Sequence, residues 1–114
     1  MIASTTGFNP TYHEQAPTME QIKAKEGYVL LEFGAPWCGH CKAASEAIEA
    51  GLSEVNIPHV KIFDGKGKKL GRGFSVTLWP TLILLNSGDE VARLVRPTET
   101  EQIATLLQQV KASS

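Results

Sequence analysis

The spacing of apolar residues changes period several times along the chain, and each change marks an element. Thr18 and Gln21 stand at capping-box spacing and Met19 and Ile22 share one face, so a short helix is predicted, stopped by Gly27. Tyr28-Val29-Leu30-Leu31-Glu32-Phe33 is a nearly continuous apolar run of strand length, the pattern of a strand covered on both faces, with Glu32 as its one charge. After Cys38, small or apolar residues recur at Cys41, Ala44, Ile48, Leu52 and Val55 while Lys42, Glu46 and Glu49 fall elsewhere, which is helical spacing with Gly51 weakening the end. His59 to Phe63 reads as a second strand, and the Gly- and Lys-rich stretch from Asp64 to Gly73 as a loop with a short helix near it. Thr81 to Leu85 and Glu90 to Val95 flank the turn Asn86-Ser87-Gly88-Asp89, a hairpin signature. Thr98 caps a last helix, Glu101 closes its box, and Ile103, Leu106, Leu107 and Val110 form its apolar face.

The order helix, strand, helix, strand, loop, hairpin, helix predicts an α/β fold with a mixed central sheet between helices, because the hairpin must be antiparallel to itself. Residues 1–17, with little periodicity around Gly7, Asn9 and Pro10, read as an N-terminal arm with room for one short strand, and residues 18–114 as the domain proper. A length of 114 residues with 42% hydrophobic content suits one core and not two.

Charge narrows the classes of partner. With 11 basic and 12 acidic residues the net charge is −1, so no global field draws the chain to nucleic acid or to an anionic membrane. Neither a basic, apolar leader nor a run of about eighteen apolar residues is present, and the expectation is a soluble, cytoplasmic monomer.

The chemistry is carried by two cysteines, Cys38 and Cys41, at i and i+3 on the first turn of the predicted second helix. So close in sequence, they cannot staple distant parts of a fold; they can close a small disulfide ring and open again. Cys38 sits where unpaired N–H groups and the positive end of the helix dipole favour an anion, which makes it the expected nucleophile. Its attack on a substrate disulfide gives a mixed disulfide that Cys41, one turn on, resolves. His40 between them can donate hydrogen bonds or carry positive charge beside the thiolate, stabilising the reduced form, and Gly39 leaves the approach open.

Competing readings of the same residues are weaker. A zinc site needs four ligands, and only His13 and His59 are left to join the pair, so no metal is expected. Haem attachment needs a histidine directly after the second cysteine, where this chain has Lys42. Gly65, Gly67 and Gly71 have the wrong spacing for a dinucleotide loop, and Lys66, Lys68 and Lys69 lack an aromatic platform for nucleic acid.

The string Val29-Leu30-Leu31-Glu32-Phe33-Gly34-Ala35-Pro36-Trp37-Cys38-Gly39-His40-Cys41-Lys42 resembles the strand-to-helix junction of the thioredoxin superfamily, and its Gly-His dipeptide resembles that of protein disulfide isomerase domains. Trp79-Pro80-Thr81-Leu82 is similar to the family's cis-proline loop, and the resemblance runs roughly from Met19 to Val110. It implies the thioredoxin fold, with a C-terminal hairpin and helix. It also implies a cis bond before Pro80, an extended substrate paired with the Trp79 backbone, and Glu32 as a buried acid beneath Cys41, suited to moving its proton. Lys61 is a candidate partner for that acid. No cofactor is implied beyond the Cys38–Cys41 disulfide itself.

Three positions depart from the family pattern. Gly34 stands where a large aromatic is common, Glu46 replaces a helix-kinking proline, and Arg96 replaces a glycine beside the substrate groove, where it could select acidic substrates or be merely solvated. Trp37, Trp79 and Pro80 together suggest an apolar docking surface. The resulting expectation is a thiol–disulfide oxidoreductase that reduces protein disulfides and is recharged by a thioredoxin-reductase-like flavoenzyme. Two alternatives stand beside it: an oxidant or isomerase, favoured by His40, and a binding module that holds partners on the Trp79 face without turnover.

Overall fold

The structure, a computed structural model, describes residues 5–6, 18–35, 37–53, 55, 57–64, 70, 73–97 and 99–112. Its elements are β1 (Thr5–Thr6), α1 (Met19–Ala24), β2 (Tyr28–Gly34), α2 (Gly39–Leu52), β3 (Pro58–Phe63), β4 (Thr81–Asn86), β5 (Asp89–Val95) and α3 (Thr100–Ala112). The sheet order is β1-β3-β2-β4-β5. β2 and β3 are parallel, joined through α2, and the other neighbours are antiparallel, so the mixed sheet expected from the hairpin is present. The architecture is the thioredoxin fold.

Alternation along the strands divides the core in two. Leu30, Leu82 and Leu84 face α2 and α3 and pack with Ala44, Ala47, Ile48, Leu52, Ile103, Leu106 and Leu107. Val29, Leu31, Phe33, Val60, Ile62, Ile83 and Leu85 face the other way, onto Ile22 of α1 and Leu70. Each fully buried aliphatic or aromatic side chain of this kind contributes about 1.5–3 kcal/mol.

Local signals set several boundaries as read. Thr18 and Gln21 form the capping box of α1, with bonds of 2.9 and 3.1 Å. The helix ends at Ala24, and Gly27 (φ 77°) turns the chain into β2. In the hairpin, Ser87 and Gly88 have φ of 50° and 87°, as a two-residue turn matched to strand twist requires. The tip docks on the end of α1: Ser87 N–H donates to Gly27 O at 2.9 Å, and a Cβ on Gly88 would lie 2.6 Å from Lys23 O. A register shift at Leu84/Leu85 marks a bulge against β5, which is an edge strand.

Some expectations change. Val55, counted in the helical spacing, lies beyond α2, which ends at Leu52, one residue after Gly51; Gly51 is also buried, and a Cβ there would stand 2.7 Å from Ile103 Cβ. The glycine is what lets α2 and α3 approach. Glu46 is exposed on an unbroken α2. At the start of α3 it is Gln102 that folds back, accepting the Glu99 N–H at 3.0 Å, while the expected cap Thr98 lies outside the described residues. His13, Gly65, Lys66, Gly67, Lys68, Lys69 and Gly71 also lie outside them. Beyond that gap, Leu70 is buried and its carbonyl accepts Phe74 N–H at 3.2 Å, a helical turn where a short helix was expected. Among the described residues, no helix is long and apolar enough to cross a membrane.

Candidate active site

The two cysteines lie where β2 hands over to α2, at the carboxyl ends of the two parallel strands, the usual place for a site in such a sheet. Cys38 is the N-cap of α2, with extended backbone (φ −74°, ψ 117°), and its Sγ accepts the N–H of Cys41 at 3.2 Å. Sulfur thus occupies the role that a serine or aspartate oxygen plays at other caps, in the geometry by which a helix N-terminus holds an anion. The pair stands as two thiols, Cys38 half-buried and Cys41 only 4% exposed. A partner can therefore reach the first sulfur and not the second.

Gly39 and His40 are both exposed on the first turn, and a Cβ on Gly39 would meet nothing within 4 Å. Trp37 is 64% exposed and packs edge-on against Phe63, ring centroids 4.9 Å apart. The next residue, Asp64, ties the groove together. Its N–H donates to Gly34 O at 2.8 Å, and its Oδ2 accepts the Trp79 indole N–H at 2.9 Å. Partial burial pushes the Asp64 carboxyl up from the usual aspartate range, opposed by the Trp79 hydrogen bond. Phe63 and Asp64, neither singled out in the sequence, hold the two tryptophans at one end of the sheet.

The Trp79–Pro80 bond is cis, as the resemblance implies, and Pro80 is buried. Arg96 meets this loop twice: its backbone N–H donates to Pro80 O at 2.8 Å and its Nε to Trp79 O at 2.9 Å. It holds φ of 51°, a left-handed conformation that costs a non-glycine residue of order 1 kcal/mol or more. The side chain is exposed and at the same time anchored on the cis-proline loop.

Beneath the cysteines, Glu32 is 1% exposed. Lys61 is its neighbour in the β2–β3 register, and His59 Nε2 lies 2.8 Å from Glu32 Oε1. His59 is itself fully buried, so this histidine belongs to the site's interior. It was weighed in the sequence only as a metal ligand; its alternation with Lys61 within an apolar strand was the available signal. Among the described residues, no group of three His, Cys, Asp or Glu side chains is arranged to hold a metal ion.

A helix-capping CxxC pair at the end of β2, a buried acid on that strand and a cis-proline loop on the same sheet are together the features of the thioredoxin class. Comparison with known proteins agrees. The thioredoxin family profile matches residues 10–109, and the chain belongs to that family. It is 36% identical over 93 residues to the protein disulfide-isomerase of Aspergillus niger, covering 79% of this chain and 18% of that protein, so it spans about a fifth of the isomerase's length. To the thioredoxin of Chlamydia pneumoniae it is 37% identical over 84 residues, 71% of this chain and 80% of that one. The reduced form of thioredoxin 2 from Pseudomonas aeruginosa PAO1 superimposes with a TM-score of 0.80 at 37% identity, covering 94% of this chain and 100% of that one.

Proposed function

We propose that the protein reduces disulfides in protein substrates, with Cys38 as the attacking sulfur and Cys41 as the resolving one. The observation that carries this reading is the asymmetry of the pair: an accessible Cys38 Sγ held by the Cys41 N–H, and a buried Cys41 behind it. The Cys38 thiolate attacks one sulfur of a substrate disulfide, the S–S electron pair leaves on the other, and Cys41 then attacks Cys38 Sγ to release the second substrate thiol. The protein ends as the Cys38–Cys41 disulfide, two electrons poorer. A dithiol of a thioredoxin-reductase-like flavoenzyme restores them. Glu32 receives the Cys41 proton.

Trp37, Gly39, Trp79 and Pro80 line the approach, where an extended substrate segment pairs with the Trp79 backbone. Arg96 already donates to the Trp79 carbonyl, so a substrate strand meets a cation there, which favours acidic sequences beside the target cysteine. Insulin reduction tests the whole reading: the wild-type dithiol should precipitate insulin B chain, Cys38→Ser should be inactive, and Cys41→Ser should accumulate mixed disulfides. An inactive wild type removes the proposal.

His40, exposed on the first turn of α2, supports a second direction, oxidation or isomerisation. Reference couples for the two directions lie about 90 mV apart. Equilibration with glutathione decides between them, and His40→Pro should make the couple more reducing.

A further inference from the structure

We infer that His59 is a positioning residue for resolution: its hydrogen bond keeps Glu32 as the carboxylate that takes the Cys41 proton. This rests on the reductase reading above but concerns a residue that reading does not use.

Geometry places the pair. Leu30, two residues before Glu32 on the same face of β2, packs with Ala44, Ala47 and Ile48 of α2. The link from Gly34 to Gly39 is short and α2 runs back over β2, so the first turn of α2, with its buried Cys41, lies over the Glu32 end of the strand. His59 comes to the same face from β3, opposite Leu30, and reaches diagonally to Glu32.

Among the described residues, β3 brings Lys61, buried and in register with Glu32; α2 brings Cys41, with Cys38 at the cap; from β4 the apolar Leu82 is in register with Glu32; from β1 Thr5 stands opposite His59; and α3 adds only the apolar Ile103, Leu106 and Leu107 to the core on this side. In such surroundings each hydrogen bond donated to the carboxylate lowers the cost of keeping it ionised, and His59 Nε2 stands 2.8 Å from Oε1. With Nε2 protonated, the imidazole donates to Oε1 and the pair carries one negative charge, on Glu32. The Cys41 S–H proton passes to that carboxylate, the Cys41 thiolate forms a bond to Cys38 Sγ, and the mixed S–S bond breaks with its electron pair leaving on the substrate sulfur, which takes a proton from water. The pair returns its proton to Cys41 when the protein disulfide is next opened and Cys41 leaves as thiolate.

Ellman's reagent isolates this step. Attack by Cys38 releases one nitrothiobenzoate, and a second is released only when Cys41 resolves the adduct, with no protein substrate involved. In His59→Leu the midpoint of the pH profile for the second release should move alkaline by about one unit, which is about tenfold in rate at fixed neutral pH. The first release should be unchanged. His59→Gln, whose amide can donate to Oε1, should stay within about twofold of wild type. A His59→Leu profile that superimposes on wild type in a folded protein, or a His59→Gln protein as slow as His59→Leu, overturns the inference. Should His59→Leu fail to fold, the ring nitrogen shifts of wild-type His59 decide: they should move through the pH range in which second release titrates, and shifts flat across that range overturn it. Insulin left intact by a protein that releases both equivalents normally would remove the reductase reading and leave the role of His59 standing.

Discussion

The two faces of the central sheet are built on opposite terms. On the α1 side the strands present Val29, Leu31, Phe33, Val60, Ile62, Ile83 and Leu85, and the one buried polar side chain there among the described residues, Thr81, is satisfied by its own loop through a 2.7 Å bond to Leu78 O. On the α2 side the leucines share the interior with Glu32, His59 and Lys61, all at most 6% exposed. A polar trio in a core is seldom a source of net stability, because desolvation offsets what pairing returns. Its position under the first turn of α2 gives the reason for its presence. On the mechanism proposed above, one face holds the fold and the other carries the chemistry.

The sharpest test of that contrast is Phe33→Ala, which removes a fully buried ring from the all-apolar face. It should lower the unfolding free energy by about 3–5 kcal/mol in urea melts while leaving both steps of the Ellman reaction unchanged. On the other face, the joint replacement Glu32→Leu, His59→Leu, Lys61→Met, which removes the whole trio and leaves no buried charge behind, should show the reverse: stability equal to or above wild type, and second release slowed about a hundredfold, close to 2.7 kcal/mol of barrier. A loss of stability matching that of Phe33→Ala would mean the trio is structural and would dissolve the contrast.

Smaller effects refine the picture. Gly51→Ala presses a methyl into Ile103 and should cost about 1–3 kcal/mol by overpacking, read in the same melts. Smallest is Glu90→Gln on β5. The Arg93 hydrogen bonds hold the Glu90 carboxyl below its ordinary range against partial desolvation, so its contribution is present above that range and is lost as pH falls through the depressed value. The pair is a third exposed, so Glu90→Gln should cost a few tenths of a kcal/mol at neutral pH, with the gap to wild type closing in acid.

How much of this was legible in the sequence depended on whether the signal lay within one element. The apolar run of β2, the helical spacing after Cys38 and the Ser87-Gly88 turn are local patterns, and each formed as read. The burial of Glu32, the one charge in an apolar run, was implied by the family resemblance, and it is 1% exposed. Gly51 marked the end of α2, but its packing role depends on a partner 52 residues away, Ile103, which no local pattern encodes. The alternation of His59 and Lys61 shows two polar residues on one face of a strand; that this face meets a buried acid is decided only by the β2–β3 register. Likewise the Asp64–Trp79 bond joins two loops across a gap of 15 residues, and no periodicity encodes it.

The edge strand β5 has a consequence for self-assembly. An unpaired strand is a template on which a second copy can grow a sheet, and two valines on this one, Val91 and Val95, are exposed. Asp89, Glu90 and Arg93 place charge along the same ribbon, and the Leu84/Leu85 bulge adds local twist, so a copy arriving edge-on meets an uneven, charged border. The same molecule that exposes Trp37 and Leu78 at one end of its sheet thus carries, along its flank, the features by which edge strands resist edge-to-edge pairing.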